Sequence, residues 1–317
     1  MKICYIILAH NNPLQVSRLV NRLSEAWTTF YIHIDKNVSL DPFEAPFLND
    51  KKVSFLKSNY REAGIWGDIG IVKATLNAMK KCLQEDKSDI FILISGQDYP
   101  LKNNQVIYDH FNNNWDVNYI DQYPMPIKMW ENGGLKRINR YKINKSPKRG
   151  HITFLPSIFD RDFYSLETAG KINFLRKTGR IKHLLKVLKK RKFPSYLKPF
   201  GGSVYFALPL NTVEGIIKFV DTHPDYLTYH YYTLSADEIF FHSIVGYLNA
   251  KKNIKIEPSL TYVNWRKKNG PPPVTFELED YEELKIASNN FLFARKFDIN
   301  LDQKILDKCD KDLLKLK

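Results

Sequence analysis

The sequence predicts an α/β fold with a mostly parallel, doubly wound central sheet. In the first third of the chain, short apolar segments rich in β-branched residues alternate with segments whose apolar residues recur at helical spacing. Three of the apolar segments end at polar residues, as strands do when a ligand binds at the carboxyl edge of such a sheet. With 44% hydrophobic residues among 317, the chain can also fill a substantial core.

The elements of the first third follow in a regular order. The first strand is predicted at 4–8. A helix follows it, because Asn12 and Pro13 suit an N-cap and the first helical position, and Val16 and Leu19 begin the apolar spacing. The same arguments predict strands at 29–35, 52–56 and 90–94 and a helix over 69–79. His10, Asp35 and Asp98 lie where three of these strands end, so we expect them to share one edge of the sheet.

The rest of the chain is less regular. A strand is predicted at 115–120, and residues 121–170 are rich in Pro, Asn and Lys without a clear period. Further strands are predicted at 201–208, 254–257 and 260–265, and helices at 212–220, 235–248, 280–287 and 302–316. Because no repeat or linker divides the sequence, it predicts a single domain, 1–317, with a basic helical insertion at 171–198.

The net charge of +14 and pI of about 9.4 favour a polyanionic partner: nucleic acid, an anionic membrane or a phosphorylated ligand. Most of this excess belongs to one segment, since 171–198 holds eleven Lys and Arg and no acidic residue. The usual nucleic-acid recognition motifs are absent, and aromatic residues do not interleave with the cations of this segment. We therefore expect no nucleic-acid partner.

Cysteine content and hydropathy bear on the compartment. Cys4, Cys82 and Cys309 are too far apart for a zinc motif or a disulfide framework, so a reduced, cytoplasmic setting is expected. The apolar run at 3–9 is shorter than the core of a signal peptide, and no run approaches the roughly 18 apolar residues that span a bilayer. Any membrane contact would therefore be peripheral, at the inner face of the cell membrane.

The segment Ser235-Ala236-Asp237-Glu238 has two interpretations. Ser and Glu three residues apart before an apolar run form a capping box at a helix start. Alternatively, Glu238 faces a cleft and accepts a proton from a hydroxyl as a general base. The local pattern leaves both open.

Two basic segments are candidate anion sites. Arg295 and Lys296 lie between aromatic residues, which fits either solvated cations on a core strip or a diphosphate clamp. Arg266, Lys267 and Lys268, followed by Gly270 and three prolines, form a second basic loop. No glycine-rich phosphate-binding motif is present, so side chains and strand-end loops would have to hold a nucleotide.

A divalent metal site is not expected. Oxygen ligands for Mg²⁺ or Mn²⁺ should converge at a strand end, yet the clearest strand is followed by Gly96, Gln97 and a single carboxylate, Asp98. Literal Asp-x-Asp pairs occur at 160–162 and 310–312, where each pair encloses a cation and neither follows a convincing central strand.

Within the basic segment, Ile181, Leu184, Leu185 and Leu188 recur at helical spacing among lysines. This pattern fits an ordinary amphipathic surface helix. It also fits an interfacial helix that lies on anionic lipid, in which case an acceptor linked to lipid would explain the contact.

Taken together, several segments resemble the family of core-2/I-branching N-acetylglucosaminyltransferases and peptide O-xylosyltransferases. They occur in family order over nearly the whole chain: LAH at 8–10, IHID at 32–35, WG at 66–67, SGQDYPL at 95–101, GSVYF at 202–206, ADE at 236–238 and LFARKFD at 292–298.

The resemblance implies a glycosyltransferase A-type fold and an inverting reaction that needs no metal cofactor. It makes Glu238 the base that deprotonates an acceptor hydroxyl and Lys296 the cation that neutralises the departing UDP. Residues at the strand ends would line the donor site, and Gly202 and Ser203 would lie under the donor sugar. These donor-site residues are His10, Asp35, Trp66, Gly96, Asp98, Gly202, Ser203, Arg266, Arg295 and Lys296.

The resemblance also divides the chain into a nucleotide-binding half, 1–120, and an acceptor and catalytic half, 121–317. It implies UDP-GlcNAc as donor and a sugar hydroxyl as acceptor, in the assembly of a polysaccharide or oligosaccharide. UDP-xylose is the alternative donor, and a non-catalytic basic protein that binds nucleic acid or membrane is the alternative class.

The sequence departs from the family in two respects. Branching enzymes carry a second cation upstream of the position of Lys296, and the aligned stretch 271–275 has none, so Arg295 or Arg266 is the expected substitute. The animal enzymes are membrane-anchored and disulfide-bonded, whereas this sequence resembles a bacterial, cytoplasmic form. In the less similar acceptor region, the expected contacts are Trp130, Glu131, Lys136 and Arg140.

Overall fold

The computed structural model describes residues 1–85, 88–266 and 272–315. Lys267, Lys268, Gly270 and Pro271 of the predicted second basic loop, and the end of the predicted last helix at Leu316, lie outside these ranges. The strands are β1 (Ile3–Ala9), β2 (Thr28–Ile34), β3 (Val53–Phe55), β4 (Ile90–Ser95), β5 (Asp98–Pro100), β6 (Val117–Tyr119), β7 (Tyr123–Pro124), β8 (Tyr141–Asn144), β9 (Ile152–Leu155), β10 (Phe200–Gly201), β11 (Phe206–Pro209), β12 (Lys255–Glu257), β13 (Thr261–Val263) and β14 (Phe293–Arg295).

A central sheet organises the described residues, with the strand order β12-β6-β11-β4-β1-β2-β3. The pairs β1–β2, β1–β4, β2–β3 and β6–β12 are parallel, and β11 runs antiparallel to both of its neighbours. The prediction of a mostly parallel α/β sheet is therefore confirmed. Strands β6, β11 and β12 extend the sheet formed by β1 to β4, so most of the first and second halves of the chain share one framework.

Helices cover both faces of this sheet. Their bounds are α1 (Pro13–Leu23), α2 (Asp41–Glu44), α3 (Gly70–Glu85), α4 (Asn104–Asn113), α5 (Leu135–Asn139), α6 (Leu166–Lys177), α7 (Leu184–Val187), α8 (Leu210–Thr222), α9 (Pro224–His230), α10 (Phe240–Lys252), α11 (Tyr281–Ala287) and α12 (Gln303–Asp312). None of the helices in the described ranges combines the length and the hydropathy that crossing a membrane requires.

The two faces of the sheet carry separate apolar clusters. Along β1, Ile3, Tyr5 and Ile7 pack into one cluster with α1, α4, α11 and α12, whereas Cys4 and Ile6 pack into the other with α3, α8 and α10. This alternation follows from the two-residue period of a strand, and burial on both faces explains why the parallel strands are apolar throughout. The sheet is thus a rigid support for the loops at its edges.

Smaller sheets complete the edge where β1, β2 and β4 end. Strand β14 pairs with β13 and β5, and the pairing places Arg295 opposite Asp98. Strands β8 and β9 form an antiparallel hairpin, and β10 pairs with β7. These additions bring residues from distant parts of the sequence to the same edge.

Most of the predicted strands and helices are present within a few residues of the expected bounds. One exception is the predicted strand at 201–208, where β10 ends at Gly201 and β11 begins only at Phe206. The predicted N-cap of α1 is a second exception. Asn12 adopts a left-handed conformation (φ 52°), and its side chain does not cap the helix. Its amide instead donates to Asp298 Oδ1 at 2.8 Å, which ties the first loop to the loop after β14.

The basic insertion also differs from the prediction. The prediction of a continuous amphipathic helix through 181–188 is wrong. Helix α6 ends at Lys177, a 3-10 turn covers Ile181–His183, and α7 ends at Val187. Gly179, at φ +70°, ends the preceding helix in the left-handed conformation that glycine adopts freely. In addition, positive charges three or four residues apart repel one another on a helix surface, and this segment has no acidic residues to offset them.

Candidate active site

The loops that follow β1 and β2 begin the candidate site. His10 follows β1 and Asp35 follows β2, so both lie at the carboxyl edge of the sheet. Asp35 accepts hydrogen bonds from the backbone N–H groups of Asn37 (2.8 Å) and Gly64 (2.6 Å). Partial burial lowers the pKa of His10, and the neighbouring Asp35 carboxylate opposes that shift.

The Trp66-Gly67 segment is tied to the loop that carries Glu238. Gly67 has φ +72°, and its carbonyl accepts a hydrogen bond from the N–H of Ser235 at 3.0 Å. The indole of Trp66 is 41% exposed, so a large aromatic face is available beside this junction. The structure therefore brings two of the sequence-predicted segments together, although 168 positions in the sequence separate Gly67 from Ser235.

No capping box forms at Ser235. This residue is in the left-handed region (φ 51°), its side chain makes no capping hydrogen bond, and α10 begins only at Phe240. The side chain of Glu238 reaches away from the helix and forms an ion pair with Arg137. Its own carbonyl accepts the N–H of Gly202 at 3.0 Å. Of the two interpretations of this motif, the structure excludes the cap, and the carboxylate of Glu238 stays 31% exposed.

Arg137 is a site residue that sequence reasoning missed. Its guanidinium lies 3.9 Å from the ring centroid of Trp130 and binds Glu238 with an amino group, so it is held from two sides. Trp130 is itself wedged in place, because a Cβ at Gly134 or Gly201 would approach the indole to 2.3 or 2.6 Å. The sequence prediction included Trp130 but not Arg137, and the structure brings Arg137 into contact with both Trp130 and Glu238.

A buried acidic group adjoins Glu238. Burial raises the pKa of Asp237 to about 7, and repulsion from Glu238 adds to the effect, while Arg137 and Lys142 oppose it. Within the described residues, Asp237 Oδ1 has no hydrogen-bond partner. Lys142, also buried, pairs with Asp68 at 3.0 Å, so the carboxylates and cations of this region alternate.

The two cations of the predicted clamp have different surroundings. Arg295 is committed to the protein interior: its Nη1 donates to Ser95 Oγ at 2.6 Å and to Asp98 Oδ1 at 3.1 Å, and its guanidinium lies 5.1 Å from the ring centroid of Tyr205. Asp98 is fully buried and also accepts two hydrogen bonds from Ser95. This network supports the loop between β4 and β5 from within.

Lys296 remains available for a ligand. Across residues 1–85, 88–266 and 272–315 it forms no ion pair. Burial lowers the pKa of its amine, and the nearby guanidinium groups of Arg295 and Arg149 lower it further, whereas Asp298 opposes them. An anion bound here would relieve the repulsion between these cations.

Gly202 and Ser203 lie between β10 and β11, beside the carbonyl of Glu238. A Cβ at Gly202 would approach Asp121 Cβ to 2.4 Å, so only glycine fits against that residue. Asp121 Oδ2 accepts the N–H of Ser203 at 3.1 Å. Gly96 lies farther inside, where a Cβ would meet Ala9 and Val16 at under 3.0 Å, so it permits α1 to pack closely on the sheet.

Four other predicted residues make contacts elsewhere or stand exposed. Arg266, whose side chain is 78% exposed, lies 3.6 Å from a Glu283 carboxylate oxygen. Lys136 lies over the ring of Phe154, Glu131 is exposed at the start of a 3-10 turn, and Arg140 bonds both Asp160 and Asp162. The structure therefore does not gather these four residues around Glu238 as it gathers Trp130.

Both Asp-x-Asp pairs are engaged by cations. Asp160 and Asp162 bind Arg140, whereas Asp310 is buried against Arg18 and Arg22 and Asp312 pairs with Lys308. In the part of the chain that the structure describes, no group of three or more His, Cys, Asp or Glu residues is placed to share one metal ion.

The site thus lies on a mostly parallel α/β sheet with helices on both faces, as predicted, where loops converge at the carboxyl edge of the parallel strands. A family model described as Core-2/I-Branching enzyme matches residues 3–288. The chain therefore belongs to the Core-2/I-branching family of glycosyltransferases.

Curated relatives agree with this assignment. Over 98% of the chain, the sequence is 25% identical to Xylosyltransferase 2 of Rattus norvegicus and 24% identical to Xylosyltransferase 2 of Homo sapiens. Over 99% of the chain it is 22% identical to Xylosyltransferase 1 of Rattus norvegicus. The chain spans about a third of the length of these relatives, 33% of the first two and 35% of the third.

The raised pKa of Asp237 predicts a pH-dependent contribution to stability. Because the folded state holds this proton more tightly than the unfolded state does, stability is lost as pH rises between about 4 and about 7. We expect Asp237→Asn to be more stable than the wild type by at least about 1 kcal/mol near pH 8 and by much less near pH 4. Urea unfolding at several pH values measures this difference, and a difference independent of pH would contradict the assignment.

Proposed function

We propose that this protein is an inverting glycosyltransferase that moves a sugar from a UDP-sugar to a hydroxyl of a glycan acceptor. The observation that carries the proposal is the position of Glu238. Its carboxylate is held by Arg137 and is 31% exposed, and its backbone joins the Gly202 loop directly and the Trp66-Gly67 loop through Ser235. A fixed carboxylate between a donor site and solvent is what deprotonation of an incoming hydroxyl requires.

The proposed transfer forms one bond to the anomeric carbon and breaks another. The acceptor O–H gives its proton to Glu238, and the oxygen forms a bond to the anomeric carbon of the donor. The bond between that carbon and the diphosphate oxygen breaks on the opposite face, and UDP leaves with the electron pair. Arg137 keeps the carboxylate in place, since its guanidinium is itself fixed against Trp130.

Lys296 would neutralise the leaving group. Its amine has no ion-pair partner in the described ranges and lies beside other cations, so negative charge that develops on the diphosphate is stabilised there. This arrangement supports a reaction that needs no metal ion. Turnover in excess EDTA is expected to match turnover with added Mn²⁺.

The donor proposed first is UDP-GlcNAc, after the branching enzymes that the chain resembles. UDP-xylose is the second candidate, because the relatives reported above are named xylosyltransferases. A thermal-shift comparison of UDP, UDP-GlcNAc and UDP-xylose separates the two. An acceptor in polysaccharide or oligosaccharide assembly is proposed with either donor.

Replacement of Glu238 tests the base. We expect Glu238→Gln to lower kcat by a factor of at least about 100, because the amide cannot take the proton, while UDP affinity stays close to that of the wild type. The matched control is Glu214→Gln, which alters an exposed carboxylate on α8 in the same way. Product formation in a radiolabelled transfer assay and calorimetric UDP titration give the two readouts. Retained turnover in Glu238→Gln would remove Glu238 from the base role.

The basic segment supports a further proposal, that the protein acts at the inner face of the cell membrane on a lipid-linked acceptor. Apolar side chains stand exposed among its lysines, with Leu185 at 71% and Leu188 at 57% exposure. Of the lysines in this segment only Lys171 has an ion-pair partner among the described residues, so most of the positive charge is not neutralised by the protein. Burial of apolar area and attraction to anionic headgroups both contribute to the free energy of such membrane contacts. Helix α7 spans only one turn, so the contact would involve the whole segment and not one long helix. The three cysteines are free and buried, which agrees with the cytoplasmic location proposed here.

Co-sedimentation with vesicles tests the membrane contact. The wild type is expected to bind vesicles of phosphatidylcholine and phosphatidylglycerol, and binding should weaken with salt. Leu185→Ser should weaken this binding about fivefold, since one leucine side chain leaves the apolar contact. Leu48→Ser, at a leucine of similar exposure elsewhere, should have no effect. Equal binding to vesicles of phosphatidylcholine alone would overturn the proposal.

A further inference from the structure

The loop of the β8–β9 hairpin brings another arginine to the candidate site. Residues 145–151 connect the two strands, and hydrogen bonds from Lys145 N–H to the His151 carbonyl (2.8 Å) and from His151 N–H to the Lys148 carbonyl (3.0 Å) close the loop tightly. Arg149 lies at its tip. A short closed loop of this kind limits the directions in which the Arg149 side chain can extend.

Side-chain hydrogen bonds anchor the hairpin to the Trp66 loop. Lys142 Nζ donates to Asp68 Oδ1 at 3.0 Å, and Asn144 Nδ2 donates to Asp68 Oδ2 at 2.6 Å. Both donors belong to β8, and Asp68 is two residues from Trp66. The position of the hairpin relative to Trp66 is therefore fixed by a buried, charged contact.

Arg149 reaches back over the donor side of the site. Its guanidinium carbon lies 5.4 Å from the ring centroid of Trp66, and it has no ion-pair partner among the described residues. It is also close enough to Lys296 to lower the pKa of that amine. Asp298 opposes this effect, yet neither cation forms an ion pair among the described residues, so two neighbouring positive charges favour a bound anion.

We propose that Arg149 is the second cation that binds the diphosphate of the nucleotide-sugar donor, with Lys296 as the first. This inference rests on the function proposed above. The two arginines expected in that role are engaged elsewhere, Arg295 with buried Asp98 and Arg266 with Glu283. A guanidinium can offer two parallel N–H donors to phosphate oxygens, and the face of Trp66 fixes its plane.

Nucleotide titrations of variants test this role. Uridine, UMP and UDP are titrated calorimetrically, with EDTA present, into the wild type, Arg149→Ala and Arg149→Lys. Lys148→Ala, which removes an exposed cation from the neighbouring position in the same loop, is the matched control. We expect Arg149→Ala to weaken UDP binding about tenfold and leave uridine binding unchanged, because a charge-assisted contact to phosphate is lost. Arg149→Lys should recover part of the loss, and Lys148→Ala should match the wild type.

The outcomes separate the inference from the proposed function. A wild type that binds UDP, together with Arg149→Ala that binds it equally well, would overturn the inference alone. A parallel loss for uridine and UDP would also overturn it, since Arg149 would then act through Trp66 and not through phosphate. A wild type without affinity for UDP would overturn the proposed function, and the inference with it.

Discussion

The hydrogen bond from Ser235 N–H to the Gly67 carbonyl is the contact on which the candidate site depends. It requires a left-handed residue at Ser235, and that conformation prevents a helix cap from forming there. Because no cap forms, the carboxylate of Glu238 is free to reach Arg137. The same contact fixes the Glu238 loop to the loop that carries Trp66, so the proposed base and the proposed donor side are held together.

The cations at the candidate site differ in whether a carboxylate of the protein neutralises them. Arg295 is neutralised by a carboxylate that the sheet buries, and it stabilises the loop after β4. Lys296, one residue later, and Arg149, from a different hairpin, have no such partner in the described residues. Two neighbouring cations without ion-pair partners favour a bound anion, and in the proposed function the diphosphate of the donor would supply that charge. The net charge of the chain is therefore divided between this site and the surface of the basic segment.

Much of the framework could be predicted from local patterns. The apolar runs of β1, β2 and β4 have no other plausible structure, and the polar residues after them had to meet at one edge of a parallel sheet. This reasoning placed His10 and Asp35 correctly relative to the strands. It could not decide whether Ser235 and Glu238 form a helix cap, because a cap and a catalytic segment can use the same residues at the same spacing. The structure excludes the cap, and the role of Glu238 as a base stays a prediction.

The residues that sequence reasoning missed share one property. Arg137 lies 101 positions from its partner Glu238, and Arg149 lies 83 positions from Trp66. Neither arginine belongs to a recognisable motif, so the sequence alone does not indicate the roles proposed for them. The prediction for the basic segment was wrong for another reason. Its apolar spacing indicated one continuous helix, but charge repulsion and a glycine inside the segment divide that helix into shorter pieces.

The most direct test of the account is a crystal structure of the Glu238→Gln variant with the nucleotide sugar that it binds most tightly. We expect the diphosphate to lie against Lys296. The side chain at position 238 should face the anomeric carbon from the opposite side, across a gap that admits one hydroxyl. A sugar whose leaving diphosphate lies on the same side as residue 238, or a nucleotide bound away from the carboxyl edge of the sheet, would contradict it.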